Sequence, residues 1–213
     1  MGSRTLARFL SLSGVVAAVF YFLHIYFGIQ SYPHYNSLSQ AVSDLTAIDA
    51  PSFVVASRFS SLYSLFSVLG CTILCLLVMG QFNKIFRLGI FLYTVMNWVS
   101  GVGYTLFPLS GKGFQNTLQD IMHFSVVTIT VVVLSIVSLL LLFIGGFRNR
   151  ETKVMAILGL LALLFMLFGS VGISIFPREY FGLFERFRGF SVVIYTAILG
   201  LFGYTLKGLG PLL

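Results

Sequence analysis

Six stretches of this chain, at 10–29, 58–80, 88–107, 121–145, 154–176 and 189–206, are apolar over nearly their whole length. A helix needs about 20 such residues to cross the hydrocarbon core of a bilayer. No interval between them is long enough to fold on its own, so residues 1–213 read as a single membrane domain. Blocks such as VVVLSIVSLLLLFIGG do not alternate apolar and polar residues, as the strands of a membrane barrel must. The expected fold class is an all-α membrane protein with six transmembrane helices. Only 9% of the residues are charged, against about 25% in soluble domains. The first run has a basic start, but YFLHIYFGIQSYP offers large aromatics where signal cleavage needs small residues; it reads as a retained helix.

Basic residues set the expected orientation. Arg4, Arg8, Lys84, Arg87, Arg148, Arg150, Lys153 and Lys207 fall on one side of a six-helix topology; Arg58, Lys112, Arg178, Arg186 and Arg188 fall on the other. An excess of Lys and Arg in short connections marks the cytoplasmic side. Both termini are then expected in the cytoplasm, in a protein integral to the cell membrane.

The frame Gly, three residues, Phe or Tyr, Pro occurs three times, as GIQSYP (28–33), GYTLFP (103–108) and GISIFP (172–177). Each copy lies where an outward helix reaches its end. Proline stops the helix by pushing the preceding residue from helical angles, and glycine admits a close neighbour. Helices 1, 3 and 5 thus share an ending, each followed by a returning helix. The expectation is three hairpins running the same way, with internal duplication as one explanation and interface chemistry as the other.

The longest connection, 30–52, contains Ser37 and Gln40 in a capping-box spacing, followed by Leu38, Ala41, Val42 and Leu45 at helical spacing. This predicts a short amphipathic helix over 37–48 on the outer mouth of the bundle.

The acidic and histidine side chains are concentrated at the same end. Asp120 and His123 share one helix face, as do Glu185 and Arg188. Helix 2 carries a stripe of Ser57, Ser60, Ser61, Ser64 and Ser67 with Arg58 beside it. Serine stripes favour close helix packing; an arginine near hydrocarbon seeks a partner or a wet cavity. One outward-facing cavity lined by both signs of charge is expected. Cys71 and Cys75 read as small buried hydrophobes.

The run YPHYNSLSQAVSDLTA after helix 1, LFP ending helix 3, DIMHF opening helix 4 and GLFERFRGF opening helix 6 resemble the domain-of-unknown-function 998 family of bacterial and archaeal membrane proteins. The resemblance covers nearly the whole chain and is most specific at Ser43-Asp44-Leu45 and Glu185-Arg186. It implies a six-helix architecture like that of the Frag1/DRAM/Sfk1 type and a set of candidate residues, but no reaction. Thr46 stands where that family more usually has glycine.

Three function classes stay open. The first is a cavity that binds a lipid headgroup or a small polar ligand. Arg58, Arg186 and Arg188 would meet phosphate or carboxylate, with Asp44, Asp120, His123 and Glu185 completing the site. The second is an intramembrane hydrolase acting on a lipid, by acid–base or metal chemistry, with Asp120, His123 and Glu185 as candidates. A catalytic zinc needs three good protein ligands, and the weak set available is His24, Asp120 and His123. No metal and no other cofactor is expected. The third class is a structural or regulatory partner of another membrane protein. Membrane lipid and a small anionic or polar ligand are the expected partners. Nucleic acid is not, because no soluble part offers a basic face.

Overall fold

The computed structural model describes residues 2–206; Lys207, counted above on the basic side, lies outside the described residues. Six helices are long and apolar enough to cross a membrane: α1 (Ser3–Gln30), α2 (Phe53–Leu77), α3 (Lys84–Leu106), α4 (Leu118–Gly146), α5 (Arg150–Ile175) and α6 (Arg178–Thr205). With no water inside a bilayer, the backbone must satisfy itself within each segment, and a helix does so. There is no strand among the described residues.

The helices pack most extensively as α1 with α2, α3 with α4 and α5 with α6, which are the expected hairpins. α4 packs on α5, α2 on α3 and α6 on α1, so the bundle closes into a ring. Small residues permit the closest approaches. A side chain on Gly14 would collide with the backbone of Thr196, and one on Gly70 with the backbone of Gly14. Without a hydrophobic drive between helices in lipid, such close backbone contact is a main source of cohesion.

The three repeated glycines have matching roles. A methyl group on Gly28 would press on Leu45, on Gly103 on Val127, and on Gly172 on Phe184. Beyond them the helices stop at Gln30, Leu106 and Ile175, just before Pro33, Pro108 and Pro177. This end of the bundle, where the longer connections lie, is called the lid end below.

α1 and α2 begin somewhat earlier than the apolar runs, at Ser3 and Phe53, and two larger differences separate the structure from the sequence reading. α6 begins at Arg178, not near 189, because Glu185, Arg186 and Arg188 occupy helical turns that face protein and a cavity instead of lipid. The helix expected over 37–48 is a single 3₁₀ turn, Val42–Thr46. Ser37 and Gln40 do not cap it. Gln40 Oε1 accepts the Asn36 amide at 2.8 Å, and Asn36 Oδ1 accepts the Leu38 amide at 2.9 Å, so 36–40 is a side-chain-braced turn. Asp44 Oδ2 instead accepts the Ala41 amide at 3.0 Å and starts the turn.

At the opposite end the interior is solid. Leu74, Leu77, Phe86, Leu139, Leu142 and Phe202 are buried together. Tyr93 and Tyr195 are buried nearby with their hydroxyls spent on Val192 O (2.7 Å) and Met155 O (3.0 Å). Asn83 caps α3 at the Phe86 amide and donates to Gly145 O at 2.7 Å, joining α3 to the end of α4. Toward the lid end this packing gives way to open space.

Candidate functional site

Two connections, 31–52 and 107–117, form a lid over the bundle. Ala47, Ala50 and Leu109 make its small apolar core, with Tyr32, Phe53 and Phe124 against it. The Ile48 amide donates to Leu109 O at 2.9 Å. Carboxylates supply the remaining ties. Asp44, only 4% exposed, takes the Ala41 amide on Oδ2 and the Gly113 amide on Oδ1, each at 3.0 Å. Burial pushes its carboxyl above the ordinary value; the Gly113 and Ala41 amides, Lys112 and Arg186 pull the other way.

Asp120 serves the second connection. Its Oδ1 accepts the Ser110 amide at 2.9 Å, its Oδ2 accepts the Gln115 amide at 2.8 Å, and the Ser110 hydroxyl lies 2.9 Å from both oxygens. Thr117 Oγ1 caps α4 at the Asp120 amide. Asp120 is wholly buried. It is therefore committed to the loop. It does not pair with His123, although the two share a face of α4. His123 Nδ1 lies 2.7 Å from Phe107 O. A carbonyl can only accept, so Nδ1 carries the proton and Nε2 is left as the free nitrogen.

Arg186 fastens the first connection to α6. Its guanidinium donates to Ser37 O (2.6 Å), Gln40 O (3.0 Å), Gly182 O (2.8 Å) and the Tyr35 hydroxyl (2.8 Å). Burial, partly opposed by Arg186, pushes the Tyr35 hydroxyl up to about 12, so it stays a donor and gives its proton to Ala41 O at 2.6 Å. Gly182 lets the loop lie directly on α6, because a side chain there would strike the Gln40 and Ser37 carbonyls. Glu185 Oε2 accepts the Val42 amide at 3.1 Å.

Under the lid is a cavity of about 350 Å³, within the range of about 300–1,000 Å³ found for small-molecule sites. Its walls come from all six helices and the lid. His123, Glu185 and Arg188 line it. His24 lines it too; it is 4% exposed, and neither ring nitrogen has a hydrogen-bond partner. Four of the five stripe serines, Ser57, Ser60, Ser61 and Ser64, line the cavity, and Ser64 also packs against Gly101 of α3. Only Ser67 is sealed in the bundle, bonded back to Ser64 O at 3.1 Å. Met96, Val131, Met166 and Val192 supply an apolar wall. The cavity is thus amphipathic.

Arg58, Arg186, Asp44 and Asp120 are not among the side chains that line this space. Arg58 is exposed on the outside of α2. The other three build the lid. Among the described residues no group of three His, Cys, Asp or Glu side chains is placed to hold a metal ion, so His24, Asp120 and His123 do not come together as a ligand set.

Arg188 is the outlying charge. It stands ten residues past the start of α6, a depth of about 15 Å. Its guanidinium has no hydrogen-bond partner among the described residues. A charge at the bilayer centre costs roughly 2.5–3.5 kcal/mol on insertion scales unless it is paired or faces a wet cavity.

One feature had no sequence signal. Met122–Thr128 of α4 is π-helical. Thr128 Oγ1 donates to His123 O at 2.8 Å, and the Tyr104 hydroxyl donates to Thr128 Oγ1 at 3.1 Å. Such wide turns occur disproportionately at functional sites, and this one presents His123 and Thr128 to the cavity.

No curated protein matches the chain, and no solved structure does. A family model does, over residues 15–202, from the middle of α1 to the last turn of α6. Its description is "Protein of unknown function (DUF998)", and the six-helix bundle with its pinned lid and the cavity beneath it belongs to that family of membrane proteins.

Proposed function

We propose that this multi-pass membrane protein binds a lipid headgroup or a small anionic or polar ligand in the cavity beneath the lid. The Arg188 guanidinium, which faces the cavity and has no hydrogen-bond partner among the described residues, carries this reading. A phosphate or carboxylate would meet its planar donors in the geometry that arginine favours. His24 adds two unsatisfied ring nitrogens in the same space, and buried polar groups normally have partners. The apolar wall would take the hydrocarbon part of an amphiphile. The bias of basic residues toward the other end supports a lid facing outward from the cell membrane, with both termini in the cytoplasm.

Native mass spectrometry of gently extracted protein tests this. One lipid or small molecule per chain, released only under strong activation, is the expected result. Protein that emerges bare from several mild detergents contradicts it.

A second reading, hydrolysis of a bound lipid, has one observation in its favour. The Phe107 carbonyl fixes the His123 ring so that Nε2 can act as a base toward the cavity. It would rest on His123 with Glu185, without Asp120. Breakdown of a lipid by purified protein, lost in His123→Gln, would separate it from binding alone.

A further inference from the structure

We propose that the ligand of this cavity is zwitterionic, with its amine facing Glu185 and its anionic group facing Arg188. This rests on the ligand-binding reading above and adds the chemical class.

Glu185 and Arg188 lie three residues apart on α6, hence on one face, and both line the cavity. Arg188 and Arg186 act on the Glu185 carboxylate through their charge, but each of the pair keeps hydrogen-bonding capacity that the protein does not fill. Glu185 uses Oε2 for the Val42 amide, while Oε1 has no hydrogen-bond partner among the described residues. The Arg188 guanidinium has none either. An anion alone would satisfy Arg188 but leave its charge beside the Glu185 carboxylate. A cation alone would do the reverse. A ligand carrying both charges answers both side chains, and the unpaired one discriminates against each single-charged competitor.

Aromatic rings surround the same space. Tyr21 and Tyr63 have ring centroids 5.0 Å apart at 63° to one another, and Tyr104 lines the wall with them. Ring faces attract ammonium groups. The Tyr21 hydroxyl lies against Gly189, at 3.1 Å from where a Cβ would stand. That sets Tyr21 beside the α6 face bearing Glu185 and Arg188. A neutral His24 offers one donor and one acceptor, and both are unpartnered. A cavity of about 350 Å³ takes a headgroup with a short piece of chain, not a whole diacyl lipid. The zwitterion is either the headgroup of a lipid or a free molecule of the same chemistry.

The test is competition in native mass spectrometry with the full chain in detergent. One arm offers equal amounts of phosphatidylethanolamine and phosphatidylglycerol with identical acyl chains. Other arms add free phosphoethanolamine or inorganic phosphate. The expected wild-type result is a preference of about tenfold or more for the zwitterion, as losing a charged hydrogen bond implies. Glu185→Gln should abolish that preference and keep phosphatidylglycerol binding. The glutamine carbonyl still accepts the Val42 amide, so the lid stays anchored. Arg188→Gln should weaken both lipids. Free phosphoethanolamine displacing the lipid supports a free zwitterion; failure to displace it, with the lipid preference intact, supports a headgroup. Equal binding of the two lipids by wild type overturns the inference but leaves the ligand-binding reading standing. An unchanged preference in Glu185→Gln does the same. No adduct in any arm overturns both.

Discussion

The Asp44 carboxylate and the Gly113 amide, 3.0 Å apart, join two loops separated by 69 positions in the chain. With the Ala41 amide on its other oxygen, Asp44 closes the lid from within. Asp44→Ala removes the acceptor of two backbone donors, each costing about 1–3 kcal/mol if left unsatisfied. Hydrogen exchange at 41–46 and 112–114 should accelerate, and the melting temperature should fall. Unaltered exchange in both loops would show that the lid is held elsewhere.

Acidity should modulate the same clamp. Burial holds the Asp44 carboxyl above its ordinary value of 3.8. Protonation therefore favours the folded chain: the contribution is whole below the unfolded value and is lost as pH rises through the raised folded value. The melting temperature of wild type, taken relative to Asp44→Asn, should fall as pH rises from about 3.8 and then level off. A difference that grows with rising pH would reverse the sign and contradict the burial argument.

Asp120→Asn addresses a residue that the cavity does not use. The change replaces one acceptor in a set that holds Ser110 and Gln115. A loss of about 2–3 kcal/mol is expected, in line with hydrogen bonds to charged groups. Ligand retention should survive at temperatures where the variant is folded. Loss of ligand with unchanged stability would return Asp120 to the binding site.

Gly182→Ala tests how closely the first loop must lie on α6. The new methyl group would meet the Gln40 and Ser37 carbonyls, and backbone cannot yield as a flexible side chain can. Protease sensitivity at 35–42 should rise while the spans remain intact. Resistance equal to wild type would mean the loop tolerates displacement from the helix.

The lid and the spans differ in how far composition reveals them. Hydropathy located all six spans because lipid contact imposes it residue by residue. It placed the start of α6 late, since Glu185, Arg186 and Arg188 lower the local average although they face the lid and the cavity. The Ser37–Gln40 spacing suggested a helix start. What decided the backbone was distant: Arg186 and Tyr35 hold the Gln40 and Ala41 carbonyls that a longer helix would need. His123, Glu185 and Arg188 stood out as candidates because charged and titratable groups sharing helix faces are costly in a membrane, and all three line the cavity. Asp120 carried the same signal but serves a loop ten positions upstream. The cavity-facing role of the serines depends on where neighbouring helices stop short, which spacing within α2 does not encode.

Orientation is checked by thiol labelling in intact cells, in a background lacking Cys71 and Cys75. A cysteine replacing exposed Lys112 in the lid should react with an impermeant reagent, and one replacing exposed Arg150 should be protected. The opposite pattern would turn the lid toward the cytoplasm.

Arg188 and Arg58 provide the decisive comparison, since one lines the cavity and the other stands exposed on α2. Arg188→Met and Arg58→Met should be purified side by side and their bound ligand counted by native mass spectrometry against wild type. Arg188→Met is expected to lose the ligand while Arg58→Met keeps it at the wild-type level. Full retention by Arg188→Met, or equal loss in both variants, would contradict a binding site built on the cavity beneath the lid.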